Sequence, residues 1–179
     1  MCIIGYTYKY KSIVKMLKSK NYITILILML IIILIGLFLF YFILNYFLIK
    51  TPEPQNIDEV IITLSRGECY GFCPVYSLTI YGNGTVKYIG ERNVNVTGER
   101  IYTIPKEDVQ SLVDNFIEIN YFGLEDNYKV QVTDASTIIT SILINGRKKT
   151  ISRYVGGPDK LKNLENEIDE IARTNQYIE

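Results

Sequence analysis

Val75-Tyr76-Ser77-Leu78-Thr79-Ile80-Tyr81-Gly82-Asn83-Gly84-Thr85-Val86-Lys87-Tyr88-Ile89 is the stretch that decides the fold. In its first half Tyr76, Leu78 and Ile80 alternate with polar residues, so they share one face of a strand. Gly82-Asn83-Gly84 then supplies the positive-φ residues of a tight turn. Thr85 to Ile89 returns as a second strand with Tyr88 on an apolar position. Strands joined by so short a turn run antiparallel.

The same pattern extends in both directions. Val60 to Ser65 is rich in β-branched residues and reads as a strand, and Arg100 to Ile104 reads as another. Pro105 suits the first turn of a helix, with Glu107 and Asp108 at its positive end. Val109, Leu112, Val113 and Phe116 then recur at helical spacing, and Tyr121-Phe122-Gly123 closes the segment. Thr137 to Ile144 and Lys149 to Tyr154 are strands around Asn145-Gly146, a strong type I′ hairpin signal. Gly156-Gly157-Pro158-Asp159 turns the chain into a last helix, with Leu161, Leu164, Ile168 and Ile171 on its apolar stripe. The order β-β-β-β-α-β-β-α predicts an α+β domain: an antiparallel sheet of about six strands with two packed helices.

Upstream lies a different kind of sequence. Asn21 to Ile49 holds 29 residues without one charged side chain. About 20 suffice to cross a bilayer as a helix. No polar face alternates with an apolar one, so a helix lying on the membrane surface is a poor reading. Tyr22 marks one end of the run, and Tyr41 and Tyr46 mark the other, where amphipathic rings favour the headgroup zone. At 1.5 Å per residue the run would extend roughly 43 Å. That exceeds the hydrocarbon core of ~30 Å, so tilt or interfacial ends are required. A cleaved signal peptide has an apolar core of about half this length and a small-x-small exit. Tyr46, Phe47 and Leu48 fill the exit here, so a retained anchor is expected.

Lys9, Lys11, Lys15, Lys18 and Lys20 precede the run, and Lys50 alone follows it closely. That bias places the N-terminus in the cytoplasm and the C-terminal domain outside the cell membrane. Met16 is a second possible start, and the orientation survives it on Lys18 and Lys20. The expected organisation is a basic cytoplasmic tail (1–20), a transmembrane helix (21–49), a linker (50–57) and an extracytoplasmic domain (58–179). Pro52 and Pro54 make the linker a semi-stiff spacer.

Charge is divided unevenly. Six of the 19 basic residues precede Thr51, leaving 13 against all 19 acids, a net of −6 for the exterior part. Such a domain repels phosphate backbones, which argues against nucleic acid as a partner. The chain has no histidine, so it lacks the usual neutral-pH base and the commonest metal ligand. Neither a metal nor a cofactor is expected.

Arg66-Gly67-Glu68-Cys69-Tyr70-Gly71-Phe72-Cys73-Pro74 is the stretch richest in candidate residues. Outside the cell, Cys69 and Cys73 are expected to close a disulfide, stabilising by about 2 kcal/mol in the chain-entropy account. Two thiolates fall short of a zinc site. A redox-active pair remains a rival, although the usual spacing is Cys-x-x-Cys. Arg66 and Glu68 are candidate ligand contacts, against the commoner reading of a surface ion pair. Tyr70, Tyr76, Tyr81, Tyr88 and Tyr154 are candidates for an exposed aromatic patch facing a protein or glycan, although Tyr76 and Tyr88 sit on alternating apolar positions that favour the core. Asp134 is either a turn cap or a ligand's hydrogen-bond acceptor. Asn83 and Asn95 open N-glycosylation patterns, and Asn83 is expected to serve its turn first.

Residues Leu64 to Val86, with the motif RGxCYGxCPxYSLTIYGxGT, resemble the uncharacterised family numbered 6438 among domains of unknown function. The resemblance continues through Val132-Thr133-Asp134 and Tyr154-Val155-Gly156-Gly157-Pro158, covering about residues 58–173. It implies a domain boundary, and an exterior location in so far as its members are often secreted or lipid-anchored. It implies no activity, and this chain departs from it by carrying a transmembrane helix.

The expected function is that of a single-pass protein, anchored in the bilayer through residues 21–49. It displays a non-catalytic binding domain to a protein or glycan partner outside the cell. The rivals are a thiol redox protein using Cys69 and Cys73, and a hydrolase using carboxylates such as Glu68 and Asp134.

Overall fold

The computed structural model describes residues 4–131 and 134–178, with side chains from residue 21 onward. Val132-Thr133 of the second motif lies outside the described residues. The chain forms two compact units, Met1–Leu48 and Ile49–Glu179.

A single 46-residue helix, α1 (Ile4–Ile49), accounts for the first unit. Its segment Asn21–Ile49 is long and apolar enough to span a membrane, and none of that segment is buried against protein. A helix with bulky apolar side chains all round has no water-facing side, which suits lipid rather than a soluble surface.

The second unit is the α+β domain. Its strands are β1 (Ile61–Arg66), β2 (Val75–Tyr81), β3 (Thr85–Arg92), β4 (Gly98–Thr103), β5 (Asn127–Tyr128), β6 (Ile138–Ile144) and β7 (Arg147–Arg153). Its helices are α2 (Lys106–Glu118), α3 (Asp159–Ile171) and the short α4 (Asn175–Ile178). The strands form one sheet in the order β4-β3-β2-β1-β6-β7-β5. Every pairing is antiparallel except β5 with β7. The sheet is therefore mixed and has seven strands rather than about six. The extra strand, β5, is two residues long, too short to show any period.

Alternation decides which face is covered. Ile62 and Leu64 of β1, Leu78 and Ile80 of β2, and Ile142 of β6 are buried, and they form one core with Val109, Leu112 and Phe116 of α2 and Leu161, Leu164 and Ile168 of α3. Both helices thus lie on the same face, and among the described residues of this unit no helix covers the opposite one. Tyr76 and Tyr88 belong to this core, as their spacing predicts.

The two hairpin turns differ from one another. Asn145 (φ 50°) and Gly146 (φ 73°) are both left-handed, as a type I′ turn requires. In Gly82-Asn83-Gly84 only Gly84 has positive φ, at 88°. Asn83 instead accepts a hydrogen bond from Thr85 N at 2.9 Å. Gly82 is required for another reason: a Cβ there would clash with the Ile57 carbonyl, which lies directly against it.

Residues 51–55, read as a spacer, are fastened to the domain. Thr51 is 1% exposed, its N–H donates to Asn120 Oδ1 at 3.0 Å, and its hydroxyl accepts from Phe122 N at 2.9 Å. Gln55 N donates to Asn145 Oδ1 at 2.9 Å, and Asn145 Nδ2 donates to Glu53 O at 2.7 Å. These contacts gather at the end of the sheet where β1 begins and β2 ends. The Cys69–Cys73 segment joins the other end of the same two strands.

Candidate functional site: a stapled aromatic loop

The segment between β1 and β2 is a short loop whose shape is held by covalent and polar ties. Cys69 and Cys73 are disulfide-bonded, with Cα atoms 5.7 Å apart. Gly67 N donates to Thr137 O at 2.8 Å. Tyr70 N donates to Asp134 Oδ1 at 2.9 Å, and Asn93 Nδ2 donates to Cys73 O at 3.1 Å. Glu68 forms an ion pair with Arg92. Asp134 and Asn93 both have positive φ, 87° and 55°. Non-glycine residues adopt that region at an energetic cost, and here both aim a side chain at the loop.

With its backbone so restrained, the loop turns its two aromatic rings into solvent. Tyr70 is 94% exposed and Phe72 is 92% exposed. A ring of five residues has no interior in which to hide them. Their exposure carries a hydration cost of order 2 kcal/mol for each large apolar side chain. That cost is recovered only on contact with another surface. The bridge and polar ties reduce the ordering entropy such contact would demand.

The other sequence-predicted residues divide into several groups. Arg66 is not part of the loop's surface. Its Nε donates to Asp169 Oδ2 at 2.7 Å, and its Nη2 reaches Asn166 Oδ1 at 3.3 Å and the Glu165 carbonyl at 3.4 Å. Burial alone would lower its pKa, but the neighbouring Asp169 carboxylate raises it further, so the guanidinium is held more firmly charged than usual. Glu68 and Asp134 are each committed, to Arg92 and to the Tyr70 amide. Tyr154 lies apart from the loop, in a cleft of about 690 Å³ with Asn127, Tyr128, Lys129, Thr137 and Ser152. Asn83 serves its turn. Asn95 is exposed between β3 and β4.

Phe72 was missed by sequence reasoning, although an aromatic inside a Cys-x3-Cys ring was the available signal. Also missed was a buried polar seam between α3 and the sheet. Asp169 accepts from Tyr76 OH at 2.7 Å and from Thr174 Oγ1 at 3.1 Å, in addition to Arg66. Glu165, fully buried, accepts from Arg153 Nε at 2.8 Å and from Thr140 Oγ1 at 3.4 Å. Burial, and then the Asp169 charge, pushes the Tyr76 hydroxyl pKa far above the ordinary tyrosine value. This seam docks α3 against the sheet. Among the described residues no group of three or more His, Cys, Asp or Glu side chains is placed to hold a metal ion.

The sequence profile of a family described as a domain of unknown function (DUF6438) matches residues 60–172. No curated relative matches the chain.

Proposed function

We propose that this chain, which belongs to the DUF6438 family, is a single-pass protein of the cell membrane that holds a non-catalytic docking domain outside the cell. The observation that carries the reading is the pair of rings, Tyr70 and Phe72, turned almost wholly into solvent on a loop held by a disulfide. Aromatic anchors on a preorganised support are what binding hot spots are made of. The lysine bias before residue 21 supports an inside N-terminus. The bridge supports an oxidising exterior, since cytosolic thiols are kept reduced.

The loop also lies at the end of the sheet opposite residues 51–55, through which the domain is joined to the helix. A protein with an apolar pocket is the partner proposed.

Whole-cell protease treatment followed by thiol alkylation tests the placement. Cleavage of the 58–179 domain, with Cys69 and Cys73 blocked to alkylation until reductant is added, is expected. A spared domain with both thiols free would overturn the reading. A bridge that exchanges rapidly with a mild dithiol would shift it to thiol redox chemistry.

A further inference from the structure

The cleft lined by Asn127, Tyr128, Lys129, Thr137, Ser152 and Tyr154 lies outside the docking loop and has its own chemistry. Its volume of about 690 Å³ falls within the usual range for small-ligand sites. Strand alternation explains its composition. Ile138 pairs with Arg153 and Ile139 with Ser152, and Arg153 points inward to Glu165. Ser152, Tyr154 and Thr137 therefore share the face of the sheet opposite the two helices. Asn127 pairs with Ser152, which places Asn127 on that face too, while Tyr128 pairs with Arg153 and packs toward the core. The cleft thus lies at the β5 edge of the sheet, with Lys129 just beyond the strand.

The walls are fixed before any ligand arrives. Ser152 N donates to Asp126 O and Tyr154 N to Tyr128 O, both at 2.9 Å, while Thr137 O accepts from Gly67 N at 2.8 Å. Tyr128 packs against Gly157, where a Cβ would stand 3.2 Å from the ring.

The lining offers one amide, two aliphatic hydroxyls, aromatic rings and a single charge, the Lys129 ammonium. Among the described residues that line it none is acidic, in a domain whose net charge is −6, with 13 basic and 19 acidic residues. An amide and hydroxyls both donate and accept, which suits a ligand dense in hydroxyl groups. An electron-rich ring suits the apolar C–H face of a pyranose. One lysine matches one carboxylate and is too little for a phosphate chain.

We propose that this cleft binds an acidic saccharide, with Lys129 facing the carboxylate, Tyr154 against the sugar ring, and Asn127, Thr137 and Ser152 taking its hydroxyls. The loop aromatics Tyr70 and Phe72 have no part in this site, so it stands or falls separately from the docking loop.

The test is isothermal titration of the full chain in detergent micelles with tri-galacturonate, and with a neutral galactose trimer as control. Tri-galacturonate should bind about tenfold more tightly than the neutral trimer, the scale of one charge-assisted contact. Lys129→Gln should abolish that preference and Lys129→Arg should keep most of it. Tyr154→Ala should weaken both sugars by about tenfold or more, with an unchanged circular dichroism spectrum showing the fold intact. Tyr70→Ser/Phe72→Ser should change neither. Equal binding of the two trimers, no binding of either at millimolar concentration, or full affinity in a folded Tyr154→Ala protein would overturn the proposal.

Discussion

Tyr70 and Tyr76 lie six positions apart and meet opposite fates. Tyr76, on β2, is 1% exposed with its hydroxyl on Asp169, whereas Tyr70 is 94% exposed with only its backbone tied down. The strand region is held by apolar packing closed over a polar seam. The loop region is held by a disulfide, an ion pair and hydrogen bonds, so its side chains are left over for contact with something else. Interior packing and exposed aromatic surface thus occupy neighbouring stretches that share almost no interactions. Damage to one should leave the other legible.

The largest separation should come from alkali. Burial raises the hydroxyl pKa of Tyr76, Tyr102 and Tyr121 far above the ordinary tyrosine value. Their contribution is fully present below the unfolded value of about 10 and is lost as pH rises toward the folded-state values, because the unfolded chain releases those protons first. Cooperative unfolding followed by near-ultraviolet circular dichroism should therefore set in above pH ~10. Tyr76→Phe should make that limb shallower. An unfolding curve flat through the same range would show that these hydroxyls are wetter than their environment implies.

Next comes packing. Phe116→Ala, at a site with no exposed surface and a ring contact to Tyr121 at 4.7 Å, should cost about 3–5 kcal/mol in denaturant unfolding. Arg153→Ala leaves the buried Glu165 carboxylate without its ion-pair partner and should cost about 3 kcal/mol by the same measurement. A change below about 1 kcal/mol would mean that water enters the seam.

The loop region should respond more weakly. Cys69→Ser/Cys73→Ser removes a five-residue closure worth about 2 kcal/mol, without altering the near-ultraviolet signal of the core tyrosines. Phe72→Ser is expected to fall within about 0.5 kcal/mol of wild type, as for other surface positions. A larger loss would show that the ring packs against the domain and would erase the contrast with Tyr76.

How much of this was legible depended on the range over which each signal acts. Asn145-Gly146 was readable because a type I′ turn needs two left-handed residues, and few pairs supply them. Tyr76 and Tyr88 were readable from alternation alone. The turn at Gly82-Asn83-Gly84 was half-readable. Gly84 supplies the left-handed residue, but Gly82 answers to Ile57, which approaches from outside the hairpin. The pairing of Arg66 with Asp169 joins residues 103 positions apart, and no local pattern encodes it. Hence Arg66 read as either a ligand contact or one half of a surface ion pair, and its actual partner, Asp169 of α3, could not be named. The order of strands was equally hidden: β1 is central, between β2 and β6, because the chain returns to it after α2 and β5. Phe72 escaped notice because an aromatic residue reads as core unless the length of its ring is weighed.

The loop's role is tested most directly by photo-crosslinking. A photoreactive side chain is placed at position 72 of the full chain in intact cells, with one at position 101, 63% exposed on β4, as the control. Position 72 should give a discrete protein adduct that position 101 does not, and Tyr70→Ser should weaken it. Adducts with lipid alone, or equal yields from both positions, would contradict a docking role for the stapled loop.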